Sequence, residues 1–318
     1  MSEFSLIKRY FTRATPGAIL GVGDDAALLS ITSGMELAVS TDMLVSGTHF
    51  FADADPYLLG HKALAVNLSD MAAMGAQPRW ATLAISLPNE EDAWLERFSA
   101  GFFALADEFK VELVGGDTTQ GPLNISITIL GEVPRGKALR RDAAKMGDEI
   151  WVSGVVGEAA LALGYMQGKI DLSEMSFKAI APALHQPQPR VALGQALRGL
   201  ANSAIDVSDG LLADLGHILE CSKLGAEIHF DKIPVSNYLR PYLAQVWGQH
   251  CALAGGDEYE LCFTAPIARH AELDALSEKL KFPLTCIGNI VAGKDCKIID
   301  ANGNMMKVER AGYDHFKR

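Results

Sequence analysis

No cysteine occurs in the first 220 of 318 residues, and only five occur in all: Cys221, Cys251, Cys262, Cys286 and Cys296. An odd count without C-x-x-C excludes a disulfide framework and a zinc knuckle, and predicts reduced thiols in the cytoplasm. No apolar run approaches the ~18 residues of a membrane span. The opening MSEFSLIKRYF interrupts its apolar residues with Glu3, Lys8 and Arg9, so it does not read as a signal peptide. Positive charge is scarce: 28 Lys and Arg face 39 Asp and Glu, a net charge of −11. Such a chain is unsuited to general binding of nucleic acid or anionic membrane, and an anionic substrate would require divalent cations to offset repulsion. Absent too are the G-x-S-x-G elbow and H-E-x-x-H, and the eight histidines lack ligand spacing. What is present is ordinary for a globular protein, 49% hydrophobic and 21% charged, at a length that predicts about two domains.

Periodicity predicts a short amphipathic helix over 2–13 with Ser2 as its cap, a strand at 36–41, and a buried helix over 56–74 between Asp55-Pro56 and Gly75. A strand at 79–87 and a helix over 90–109 follow, and strands at 111–114 and 124–133 flank a GGDTTQGP loop. The pattern restarts at DEIWVSG with helical segments to about 201, a strand-loop at 203–209, and a helix over 210–224. Strand 226–231, helical 235–254, strand 259–264, helix 266–280 and short strands at 284–291 and 296–309 complete the chain. This alternation predicts an α/β (α+β) class. The basic stretch at 135–148 divides it into an N-terminal domain over 1–140 and a C-terminal domain over 141–318.

Two motifs mislead. GEVPRGKA places Ala138 where a Walker A loop needs a hydroxyl. Gly21-Val-Gly23-Asp-Asp-Ala26 fits a dinucleotide fingerprint, with Asp42 near the spacing of a ribose-binding acid. There, however, Asp24 and Asp25 would repel a pyrophosphate, and AALLSI is too short for a crossover helix.

The recurring feature is a set of Gly/Ser/Thr/Asp clusters: GVGDDAA, STDMLVSGTHF, NLSDMAAMG, GGDTT, DVSDG and GGDEYEL. They hold Asp24, Asp25, Asp42, Asp70, Asp117, Asp206, Asp209, Asp257 and Glu258, without which the net charge of −11 would fall to −2. Turns and caps explain many Gly-Asp pairs, and Asp209 before GLLADLGHILE reads equally as a helix cap. Asp70 differs. It lies inside a predicted apolar helix, three residues after Asn67, and no Lys or Arg occurs between Lys62 and Arg79. A buried carboxylate costs several kcal/mol unless paired or bound to a cation. Carboxylates, with Ser40, Thr41, Ser69 and Ser208 as weaker oxygen donors, suit Mg²⁺ held on a polyphosphate.

With these clusters in order, from EFSLIKRYF through KALAVNLSDMAAMGAQP to GYDHF, the chain resembles the thiamine-monophosphate kinase family. That family belongs to the ATP-binding superfamily of aminoimidazole ribonucleotide synthetase, selenophosphate synthetase and a hydrogenase-maturation protein. The resemblance implies two α/β domains, a homodimer packed through N-terminal strands, and direct transfer of the ATP γ-phosphoryl to thiamine monophosphate, with several Mg²⁺ ions. It implies Asp25, Ser40, Thr41, Asp42, Asp70, Asp117, Asp206 and Asp209 as metal ligands. Asp42, Asp117 and Asp209 would serve catalysis. Gly116, Asp117, Arg141 and Ser208 would contact ATP, and His49, Asp257 and Tyr313 the thiamine substrate. The family reads G-G-E-D-Y-E-L where this chain has Gly255-Gly256-Asp257-Glu258-Tyr259-Glu260-Leu261, which leaves Asp257 and Glu258 both open as the substrate contact. A superfamily synthetase and a non-catalytic Mg-ATP sensor are the alternatives. The selenophosphate reaction uses a reactive Cys near the N-terminus, and none occurs here before Cys221.

Overall fold

A computed structural model describes residues 3–308, 312 and 313. The chain divides into two compact units, Met1–Met71 with Ala76–Gly136, and Ala72–Gly75 with Lys137–Arg318. Elements of the first are α1 (Glu3–Leu6), β1 (Met35–Val45), α2 (Pro56–Ala73), β2 (Gln77–Leu87), α3 (Asp92–Phe109), β3 (Glu112–Gln120) and β4 (Asn124–Pro134). Its sheet has the order β1-β4-β2-β3, antiparallel except for the β2/β3 pair.

Asp55 begins α2 as its sequence predicts: Oδ1 accepts the N–H groups of Tyr57 and Leu58, and Pro56 needs no hydrogen bond at the first helical position. The helix ends at Gly75, where φ is +65° and Ala76 N–H reaches the Met71 carbonyl at 2.8 Å. Leu64, Leu68 and Met71 of α2 are fully buried, as are Phe98 and Phe102 of α3 and Ile125 and Ile127 of β4. Helices α2 and α3 touch backbone to backbone. A Cβ at Gly60 would lie 2.1 Å from the Phe98 carbonyl, and one at Gly101 would lie 1.9 Å from the Tyr57 carbonyl.

The second unit contains β5 (Asp148–Ser153), α4 (Glu158–Met166), α5 (Glu174–His185), α6 (Val191–Leu197), β6 (Ser203–Asp206), α7 (Leu211–Ser222) and β7 (Gly225–His229). It continues with α8 (Val246–Ala254), β8 (Leu261–Pro266), α9 (His270–Leu280), β9 (Leu284–Val291) and β10 (Cys296–Ile299). The strands order as β10-β7-β9-β5-β8-β6, with only β10/β7 parallel. Ile150, Val152, Ile205, Leu215, Ile218 and Ile287 are fully buried in its core. Two mixed sheets flanked by helices make this an α/β (α+β) fold.

Several predicted elements change. GGDTT is strand, not loop: β3 runs on to Gln120, because Gly116, Asp117 and Thr118 pair with Leu83, Ala84 and Ile85 of β2. The N-terminal helix is only α1 followed by a π-helical turn over Ile7–Phe11, and Ser2 lies outside the described residues. Between 235 and 254 only α8 is α-helical, preceded by a 3-10 turn at Arg240–Tyr242 that contains Pro241, which has no N–H to donate. No helix among the described residues is long and apolar enough to cross a membrane.

Candidate active site

In the first unit, Ser40 and Asp42 leave the same face of β1, two residues apart. That face meets α2, where the Ser40 hydroxyl donates to Asp70 Oδ2 at 2.5 Å. Residues 61–69 of α2 are buried and Asp70 is the next, half-buried, so its carboxylate emerges at the margin of the core rather than inside it. Asn67, three residues earlier on the same helical face, spends its amide N–H on the Ala63 carbonyl, and its Oδ1 is buried without a hydrogen-bond partner. The orphaned Asn67 carbonyl oxygen, the Ser40 hydroxyl and the Asp70 carboxylate are all oxygen donors. Such donors fit a hard divalent cation.

The other predicted ligands lie elsewhere. Cross-strand pairing puts Asp117 in one row with Met43, Ser126 and Ala84, and Thr41 bonds Thr128 at 2.8 Å. Thr41 and Asp117 therefore leave the opposite sheet face from Ser40 and Asp42, and β1 and β3 are its two outer strands. Asp24 and Asp25 are exposed in a loop, where Asp24 Oδ1 accepts the Asp25 N–H. Among the described residues, no three Asp, Glu, His or Cys side chains converge as a ready-made metal cluster. Gly116 has φ +148°, and a Cβ there would meet the Leu83 carbonyl at 1.9 Å, so only glycine fits. His49 Nδ1 accepts the Val45 N–H at 3.0 Å, which places the proton of the neutral ring on Nε2.

In the second unit the DVSDG loop is the hub. Asp206 ends β6 and is buried. The carbonyls of Val207, Ser208 and Asp209 accept the N–H groups of Tyr259, Asp257 and Tyr313 at 2.8, 2.8 and 2.9 Å. The predicted residues Ser208, Asp209, Asp257 and Tyr313 are thus strung on one short backbone. Arg141 is exposed at the start of a 3-10 turn whose first carbonyl accepts from Ser222. Asp209 does not cap α7; that position belongs to Gly210, with φ +126° and ψ +147°.

A residue that the sequence reading passed over completes the loop. Asp214, in the first turn of α7, accepts the N–H groups of Ser208, Asp209 and Gly210 on a single oxygen, Oδ2, at 3.0, 3.0 and 3.1 Å. Burial pushes its carboxyl up to about 7, the Asp209 charge acts in the same direction, and the three N–H groups oppose both. The available signal was an acid inside the apolar run GLLADLGHIL.

The two adjacent acids of GGDEYEL, Asp257 and Glu258, separate by role. Glu258 is buried and accepts the Ala159 N–H at 3.2 Å, at the start of α4. Asp257 is half-buried at φ +66°, and its Oδ1 accepts from the Tyr259 hydroxyl at 2.9 Å. Burial, the largest influence, raises the Glu258 carboxyl well above the ordinary range, even though backbone N–H groups at Gly157 and Ala160 favour its anion. The native state therefore keeps a proton there that the unfolded chain releases, and stability falls as pH rises toward the native pKa. The midpoint of thermal unfolding is expected to fall less in Glu258→Gln than in wild type between about pH 5 and 8. Equal slopes would show that Glu258 titrates as it does in the unfolded chain.

Residues 23–133 match the family model described as AIR synthase related protein, N-terminal domain, and residues 145–301 match the corresponding C-terminal domain. The chain is 46% identical to thiamine-monophosphate kinase of Escherichia coli (strain K12) over 318 residues, 99% of this chain and 98% of that protein. The crystal structure of thiamine-monophosphate kinase from Stenotrophomonas maltophilia K279a is 47% identical, with TM-score 0.87 over 96% of this chain and 98% of that one. AaThiL complexed with AMPPCP and TMP is 31% identical, with TM-score 0.79 over 98% and 96%. With both domains matched and identity of this order along nearly its whole length, the chain belongs to the thiamine-monophosphate kinase family.

Proposed function

We propose that this protein transfers the γ-phosphoryl group of ATP to the phosphate of thiamine monophosphate, giving thiamine diphosphate and ADP. The observation that carries this reading is the likeness, over 98% of the chain, to a relative complexed with AMPPCP and TMP. AMPPCP stands in for ATP, and TMP is read as the acceptor. An acceptor phosphate oxygen is ionised at neutral pH, so no strong general base is required. The barrier is the approach of two anions and the charge on the transferred group.

By this reading Ser40, Asp42 and Asp70 would hold Mg²⁺, with the Asn67 oxygen as a further donor. Asp25, Thr41 and Asp117 of the first unit, and separately Asp206 and Asp209 of the second, would serve as further metal ligands. When bound, the cations would neutralise phosphate charge. Gly116 offers backbone where no side chain could stand, while Arg141 and Ser208 contact the nucleotide. His49, through Nε2–H, and Tyr313 contact the thiamine substrate. Asp257 faces its cationic ring, because Glu258 is committed to α4. The acceptor oxygen forms its bond to the γ-phosphorus as the bond to the β-bridging oxygen breaks, and ADP leaves with that electron pair. A homodimer is supported by the exposed apolar side chains Leu37, Val39 and Met43 on the uncovered face of β1.

The test uses purified protein with ATP, Mg²⁺ and thiamine monophosphate. Thiamine diphosphate and ADP are expected in equal amounts, EDTA is expected to abolish both, and γ-³²P-ATP alone is expected to leave no label on the protein. Absence of thiamine diphosphate would overturn the assignment, and a labelled protein that passes its phosphate to the acceptor would overturn direct transfer.

A further inference from the structure

We propose that Asp214 is a positioning residue for phosphoryl transfer: its buried carboxylate fixes the backbone of 208–210 and, through it, the side chains of Ser208, Asp209, Asp257 and Tyr313. The proposal rests on the kinase reading above. Three successive N–H groups converging on one oxygen form an anion-binding nest, and here the anion is internal. The opposite edge of the same peptide units supplies the carbonyls that hold Asp257 and Tyr313 through their N–H groups. One carboxylate therefore sits at the base of two strings of contacts, neither of which it touches with its own side chain.

Close packing leaves this backbone little room to relax. Added Cβ atoms at Gly210, Gly256 and Gly312 would lie 2.7 Å from the Ala254 carbonyl, 2.5 Å from the Ser208 carbonyl and 2.5 Å from Ala213 Cβ. Asp257 and Tyr259 are held at φ +66° and +53°, a conformation that side chains disfavour and that their bonds to Ser208 and Val207 maintain. A change at Asp214 therefore moves the loop as a unit rather than one side chain. An amide in its place presents a weaker, uncharged acceptor to the nest, or turns its own NH₂ against three N–H groups.

Asp214→Asn is expected to lower kcat about tenfold to a hundredfold, the range of losses when a group that orients a ligand is changed. Amides 208–210 are expected to exchange faster with deuterium while those of β6 and β8 keep their protection. If Asp214 acts through Asp209, the Asp209→Asn/Asp214→Asn double variant is no slower than Asp209→Asn alone, a non-additivity that a general loss of stability does not produce. Asp214→Glu retains the charge and guards against a variant that fails to fold; its longer side chain displaces the loop, and its kcat is expected to fall as well. Wild-type kcat in either folded variant, or additive losses in the double variant, would overturn the proposal. Should the wild type fail to phosphorylate thiamine monophosphate, the kinase reading falls. Amide exchange then still decides the claim that Asp214 holds the loop, and unchanged protection in Asp214→Asn overturns it.

Discussion

Asp42→Asn is expected to reduce kcat/KM for thiamine monophosphate by about 10²–10³-fold, the cost of removing one electrostatic contact to charge that develops in a transition state. Asparagine matches aspartate in size, and the main chain of β1 at this position remains paired with Ile127 of β4. The unfolding midpoint is therefore expected to stay close to that of wild type. What disappears is one negative charge on the sheet face where Ser40 meets Asp70. The Mg²⁺ concentration for half-maximal rate is expected to rise with it, because fewer charged oxygens hold the ion. A variant with wild-type kcat/KM and Mg²⁺ dependence would remove Asp42 from the metal-holding set.

The largest loss of stability is expected from Gly101→Val. Even a single Cβ at this position would stand 1.9 Å from the Tyr57 carbonyl oxygen, and the opposing contact at Gly60 leaves no direction in which the helices can slide apart cheaply. Overpacking of this kind costs about 3 kcal/mol or more when backbone rather than a flexible side chain blocks the new atoms. Because α2 carries Asp70, separation of α2 from α3 also disturbs the Ser40–Asp70 bond. Thermal and urea unfolding of the full chain would show a transition at markedly lower temperature and denaturant concentration. An unchanged midpoint would mean that the two helices are not in backbone contact.

How far local pattern carries is shown by comparing particular elements. Asp55-Pro56 and Gly75 bound α2 as read, because a cap is satisfied by residues two or three positions away and needs no partner from elsewhere. GGDTT reads as a turn on the same kind of local evidence and is strand, because the backbone of β2 supplies a ladder that outweighs the turn preference of Gly and Asp. Asp209 reads as a cap and is not one, since the carboxylate serving that loop comes from Asp214, within the helix that follows.

The alternation of strand and helix predicted the fold class, and the ordered acidic clusters carried the resemblance to the family, because such patterns depend on residue type and spacing. Which of two adjacent acids is spent on α4, which ligands share a sheet face, and that one buried aspartate supports Ser208, Asp209, Asp257 and Tyr313 were decided only by tertiary structure. The physical reason is that desolvation and convergence of N–H groups arise from the packing around a side chain, and the one local mark of Asp214, an acid inside an apolar run, does not say which groups its carboxylate meets.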